Sequence, residues 1–146
     1  VPDMAVRQIS VFMENKVGPL AEITTLLAQH QINMRALSVA ETQDFGILRI
    51  IVEEPEKAEQ VLKDNQIIFR ESSVLAVLME DRPGSMAAVV DLLAQAGIPV
   101  EYAYAFITRQ ADNACLILKV KEDEAAEALL EKEGVRSLSE QELNTL

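Results

Sequence analysis

Leu26-Leu27-Ala28-Gln29 returns 66 residues later as Leu92-Leu93-Ala94-Gln95. Gly18 and Gly84 keep the same spacing, as do Ile32 and Ile98. Further along the offset becomes 68, which pairs Val52 with Val120 and Ala58-Glu59 with Ala126-Glu127. One unit is therefore present twice, and the second copy carries two additional residues. They fall around Gln110-Ala111-Asp112-Asn113, a turn-like stretch in which solvated backbone tolerates insertion.

The elements of each copy follow from periodicity. Arg7 to Met13 alternates and is rich in β formers, so it reads as a strand. Asn15-Lys16-Val17-Gly18 is a turn, Pro19 suits a first helical position, and Leu20, Ile23 and Leu27 follow at helical spacing. Asn33 to Thr42 is a second strand, Gln43-Asp44 a turn, and Gly46 to Val52 a third strand of strong β propensity. Pro55 opens a helix with Ala58, Val61 and Leu62 inward, and Ile67-Ile68-Phe69 is the last strand. The second copy repeats the series: strand Val74 to Met79, turn Asp81-Arg82-Pro83-Gly84, and a helix carrying Met86, Val89, Val90 and Leu93. Then come strands near Val100 to Thr108 and Ala114 to Val120, a helix from Asp123 to Glu133 with Gly134 after it, and strand Val135 to Leu138. Ser139 to Leu143 can add a short helical turn.

The β-α-β-β-α-β order is that of the ferredoxin-like split arrangement. The expected fold class is α+β: two such units in tandem, each a four-stranded antiparallel sheet with two helices on one face. The expected domains are residues 5–72 and 73–146. Between Ile67 and Met79 only Arg70-Glu71-Ser72-Ser73 interrupts a strand-like run, so the sheets are expected to be held rigidly rather than hinged.

Composition narrows the functions. Of 146 residues, 49% are hydrophobic and 25% charged, as in a globular chain, and the net charge is −11. Such an acidic balance disfavours nucleic acid and anionic membranes, so neither is an expected partner. Aromatics are 4%, too few for a base-stacking sheet. A single cysteine, Cys115, excludes an internal disulfide, and with the single histidine, His30, it cannot build a structural zinc site. No metal or cofactor is expected. The start lacks a basic segment followed by an apolar run, and no run approaches bilayer length. A soluble cytoplasmic protein is the expectation, with Met4 as a candidate natural start.

On the first strand, Ile9, Val11 and Met13 form the better core set, against Gln8, Ser10 and Phe12. In the second copy both sets are apolar: Leu75, Val77 and Met79 on one side, Val74, Ala76 and Leu78 on the other. Tyr102, Tyr104 and Phe106 also line one strand face. Two apolar faces imply an interface, and packing between the copies and a homodimer are both expected, since neither excludes the other.

These features together resemble a tandem pair of ACT domains, and the small stand-alone bacterial proteins built from two of them. The signature is the turn Asn/Asp-x-x-Gly after the first strand, present as Asn15-Lys16-Val17-Gly18 and Asp81-Arg82-Pro83-Gly84. Ile32 to Leu37 fits the family's second-strand start, and the resemblance runs from about Val6 to Leu138. It implies a regulatory protein that binds an amino acid or similar effector. The site would consist of Asn15, Lys16, Val17, Gly18, Pro19 and Leu20 in one copy, and of Asp81, Arg82, Pro83, Gly84, Ser85 and Met86 in the other. Asn33 would join from across an interface. A helix N-terminus offers free N–H groups and a positive dipole end to a carboxylate, glycine lets the ligand approach, and Asn15 or Asp81 can accept from an ammonium group.

The departures from the family pattern sharpen the expectation. Pro99 replaces the second Asn, Val17 replaces the usual Pro, and Met13 and Met79 stand where serine-binding members often carry His. Serine is therefore not the expected ligand. Met13, Met79 and Tyr102 favour a branched-chain or aromatic side chain, and two equal sites are not expected. Plainer roles stay open: Gly18 and Gly84 as turn glycines, Asn15 and Asp81 as helix caps, Asn33 as a strand-entry turn residue, Tyr102, Tyr104 and Phe106 as packing. Cys115 reads as an ordinary strand residue and His30 as exposed. No P-loop, Cys-His or Ser-His pair exists, so catalysis is not expected. The alternative reading is a regulatory subunit that binds and controls a metabolic enzyme, such as one of amino-acid biosynthesis.

Overall fold

The structure, a computed structural model, describes residues 5–146; Met4 lies outside them. The chain divides into two compact units, Arg7–Ser72 and Ser73–Leu146, the latter grouped with Ala5 and Val6. The elements are β1 (Ala5–Glu14), α1 (Pro19–Gln29), β2 (Met34–Glu41), β3 (Phe45–Val52), α2 (Pro55–Asp64), β4 (Phe69–Glu80), α3 (Ser85–Gln95), β5 (Val100–Phe106), β6 (Asn113–Val120), α4 (Asp123–Lys132), β7 (Arg136–Leu138) and α5 (Glu140–Asn144).

In the first unit β3 lies between β1 and β2, antiparallel to both. The start of β4 pairs with β1. Facing residues of an antiparallel ladder project to the same side. Ile9 opposite Ile50 and Val11 opposite Leu48 therefore share a face with each other. That face meets Ile23 and Leu27 of α1 and Ala58, Val61 and Leu62 of α2 in one buried cluster. The second unit repeats the plan. β6 lies between β4 and β5, and β7 pairs with β4. Leu75, Val77, Leu116 and Leu118 pack with Val89 and Leu93 of α3 and Ala126 and Leu130 of α4.

One expectation changes. The last strand of the first copy and the first strand of the second are one element: β4 runs unbroken for 12 residues, through Arg70 to Ser73, and Ile67 and Ile68 precede it. The sheets are thus not two independent sets of four. The set opposite the core face of β1 is largely buried as well. Gln8 is fully buried and Ser10 nearly so. Gln8 Nε2 donates to Ser10 Oγ at 3.4 Å and Ser72 Oγ at 3.1 Å, so its amide is satisfied without solvent. In the second unit Val74, Ala76 and Phe106 are buried, whereas Leu78, Tyr102 and Tyr104 are half-buried.

The terminal turn is a formed helix. Ser139 Oγ accepts from Glu142 N–H at 3.2 Å, and Ser139 N–H donates to Glu142 Oε1 at 3.0 Å. This reciprocal capping box was legible as Ser-x-x-Glu. No helix among the described residues is long and apolar enough to cross a membrane.

Candidate functional site

The two glycine turns have the same local build. Gly18 and Gly84 are the N-cap residues of α1 and α3, with φ of 117° and 95°, and neither helix has a side-chain cap. An L side chain rarely adopts such φ, so glycine is required by the backbone. In α1, Pro19 has no N–H, and the first amide to find a backbone acceptor is that of Glu22, which donates to Gly18 O at 2.9 Å. In α3, Ser85 N–H reaches Arg82 O at 3.3 Å and Ala88 N–H reaches Gly84 O at 3.0 Å. Each helix thus presents two consecutive first-turn amides, Leu20 and Ala21 or Met86 and Ala87, without a backbone acceptor.

The flanking charges also repeat. Lys16 Nζ lies 3.2 Å from Glu14 Oε2, and Arg82 Nε lies 2.8 Å from Glu80 Oε2. Both pairs are exposed, so they orient the loop more than they stabilise it. Asn15 is not a helix cap. Its Nδ2 donates to Glu41 Oε1 at 3.0 Å and towards Thr42 O at 3.5 Å, which leaves Oδ1 to accept from a ligand. Asp81 is not a cap either. Its backbone N–H donates to Asp112 O at 2.8 Å, and among the described residues no bond engages its carboxylate. Val17 is wholly exposed, and Met86 about half.

Asn33 stands apart from Asn15 and Gly18. The 11 residues of α1 separate them, a helix about 16 Å long. Asn33 Nδ2 donates to Glu53 Oε1 at 3.3 Å, and the same oxygen lies 3.5 Å from Nη1 of the buried Arg35. Within its unit Asn33 therefore belongs to an Asn33–Arg35–Glu53 cluster, which the sequence reading missed. Arg35 sits at the bulge between Met34 and Ala36. Such a bulge carries no residue signal that alternation alone can reveal.

A groove of about 850 Å³ runs along α1 from the glycine turn. Lys16 and Pro19 stand at one end, Gln29 and Gln66 at the other, and Met13 and Leu26 line its length. Met13 is therefore near the turn, as expected. Tyr102 and Tyr104 stack on each other with centroids 6.4 Å apart. Cys115 is buried in β6, and His30 is exposed at the end of α1. Among the described residues, no group of three or more His, Cys, Asp or Glu could hold a metal ion.

Away from the turns, Glu59 has its carboxyl pushed up to about 7 from 4.5, by burial first and then by the Glu71 carboxyl bonded to it. Below pH 4.5 both folded and unfolded chains hold that proton, so the pair costs nothing. As pH rises towards 7 the unfolded chain ionises first, and folding loses stability across that window. Glu59→Gln is expected to gain up to about 1 kcal/mol over wild type at pH 8, after allowance for solvent screening, and nothing at pH 4. Urea melts at the two pH values measure it; the same difference at both would contradict it.

The family model for the ACT domain pair matches residues 4–146. The chain belongs to the ACT domain family, as a tandem pair. A solved protein of Bacteroides thetaiotaomicron is 36% identical, with 98% of each chain covered and a TM-score of 0.89. The ligand-free regulatory subunit of aspartate kinase from Thermus thermophilus shares the fold at 15% identity and a TM-score of 0.61, covering 86% of this chain and 91% of that one. The corresponding Thermus flavus subunit does so at 13% and 0.57, covering 86% and 90%. No curated protein matches significantly.

Proposed function

We propose that this chain is a non-catalytic regulatory protein that binds an amino acid at its β1–α1 and β4–α3 turns. The observation that carries this reading is the pair of uncapped helix N-termini, each with two free amides behind a positive-φ glycine. Those amides suit the ligand's carboxylate, while Asn15 Oδ1 or the Asp81 carboxylate suits its ammonium group. The groove beside Met13 and Leu26 supports an apolar ligand side chain at the first turn. The turns differ in charge, Asn15 against Asp81, which supports unequal sites.

Val17, Leu20, Leu37 and Val39 keep between 40% and 100% exposure. These apolar residues of the first unit support a homodimer in which a partner copy completes the site and supplies Asn33. The same exposed set supports the second reading, a subunit that docks on a metabolic enzyme. The fold also serves in the aspartate kinase regulatory subunits.

The test is thermal scanning against the common amino acids, followed by calorimetry. At least one should raise the melting temperature, because a ligand specific for the native state stabilises it by mass action. Asn15→Ala and Asp81→Ala should each weaken binding about tenfold, as expected when a charge-assisted hydrogen bond is lost, without unfolding the chain. Flat responses to all amino acids would overturn the reading.

A further inference from the structure

The two glycine turns hold their acids in different places. Glu14–Lys16 and Glu80–Arg82 are matching ion pairs, so they do not distinguish the turns. In the first unit a further acid, Glu22, stands in the first turn of α1. Its counterpart 66 positions later is Ala88, and α3 has no acid in its first turn. In the second unit the further acid is Asp81, ahead of the glycine, where the first unit has the neutral Asn15.

This difference reaches the glycines themselves. A Cβ at Gly18 would lie 3.9 Å from Glu22 Oε1, whereas nothing lies within 4 Å of one at Gly84. Glu22 is exposed and also lines the groove that begins at the first turn, beside Lys16 and Pro19. The space through which a glycine admits a ligand therefore holds a carboxylate in the first unit and is open in the second. A negative side chain is itself favoured there, because α1 has no side-chain cap and its N-terminus carries a partial positive charge. Glu22 is thus a built-in counter-charge for α1, and α3 has none in its first turn.

We propose that Glu22 sets the order of the two sites: the second turn binds a zwitterionic amino acid tightly, and Glu22 weakens carboxylate binding at the first. This rests on the amino-acid reading above. A zwitterion brings one negative and one positive end, so it fits where an acid and free amides lie on either side of the glycine. The second turn has that order, with Asp81 before Gly84 and the amides of Met86 and Ala87 after it. The first turn inverts it, with neutral Asn15 before Gly18 and the acid beyond it on α1. At exposed positions one such repulsion amounts to about tenfold in affinity. Glu22 is therefore a specificity-determining residue of the first turn, and Ala88 of the second.

The test uses the full chain and the standard amino acids as probes, with binding read by calorimetry. An amino acid that binds should give a tight and a weak phase about tenfold apart. Ala88→Glu, which puts the first turn's acid into the second, should weaken the tight phase about tenfold. Glu22→Ala should tighten the weak phase by a similar factor. Glu22→Gln should do the same, which separates the charge from the bulk of the side chain. Molar salt should narrow the gap between the phases, because exposed charges are screened. A single phase that is lost in Ala88→Glu supports the proposal equally. Two equal sites in the wild type overturn it, and so does a tight phase unchanged in Ala88→Glu; in both cases the amino-acid reading stands. Absence of binding by every amino acid, in the wild type and in Glu22→Ala, overturns that reading and this proposal with it. Glu22 and Ala88 are both exposed, so the variants keep the fold, which circular dichroism checks.

Discussion

Leu27→Ala is expected to lower the unfolding free energy by about 2–5 kcal/mol, the range for a leucine removed from a packed core. Leu27 is completely buried and sits in the cluster of Ile9, Leu48, Ile50 and Leu62. Truncation removes its contacts and leaves a void between α1 and the sheet that neighbouring backbone cannot close. Leu93→Ala, at the equivalent position of the second unit and 1% exposed, should lose a similar amount. Leu26→Ala should lose clearly less, because Leu26 is only partly buried against that core and borders the groove. Urea melts measure all three. A loss at Leu27 below about 1 kcal/mol would contradict the packing described.

Gly84→Ala has the next largest expected effect, and it separates stability from binding. A Cβ at Gly84 would meet nothing within 4 Å, so no clash opposes it. The backbone φ of 95° opposes it instead, at about 1–2 kcal/mol for an L residue. The added methyl would stand in open space next to a turn that the amino-acid reading makes a ligand site. Under the amino-acid reading, affinity at this turn should fall more than tenfold, while the folded chain persists with a melting temperature lowered by several degrees. Full affinity in the folded variant would place the ligand elsewhere. Gly18→Ala makes the matching test at the first turn, where Glu22 Oε1 lies 3.9 Å from the new Cβ.

Element order was legible because each segment states its period. Leu20, Ile23 and Leu27 repeat at helical spacing, and Ile9, Val11 and Met13 alternate. Helix starts were legible from Pro19 and Pro55, whose missing N–H is tolerated only in a first turn. The core face of β1 followed from the same alternation. The fate of its opposite face did not, since alternation sets Gln8 and Ser10 apart from the core face without saying what they meet. They are buried because hydrogen bonds to Ser72 and between themselves satisfy them, and Ser72 is 64 residues from Gln8.

The glycine turns were legible as turns, and the structure gives both glycines a positive φ. The roles of Asn15 and Asp81 as caps were wrong. Those residues lie three positions before the N-cap glycines, so their side chains do not close on the first turn. Asn33 was singled out alone, whereas it and Arg35 both donate to one carboxylate oxygen of Glu53. That cluster joins the start of β2 to the end of β3, and strand pairing alone creates it.

The sequence by itself determined that one unit occurs twice, in what order its strands and helices come, and where each glycine turn falls. These are local properties, fixed by side-chain period and by backbone angles within a few residues. Only the tertiary structure decided which polar groups lose water, and where the two copies stop being equivalent. Phe69 and Ser137 are an unremarkable pair on the page. Phe69 packs against the core of the first unit, whereas Ser137, opposite Val77, is buried with its Oγ unbonded, because packing depends on volumes that meet across strands distant in sequence.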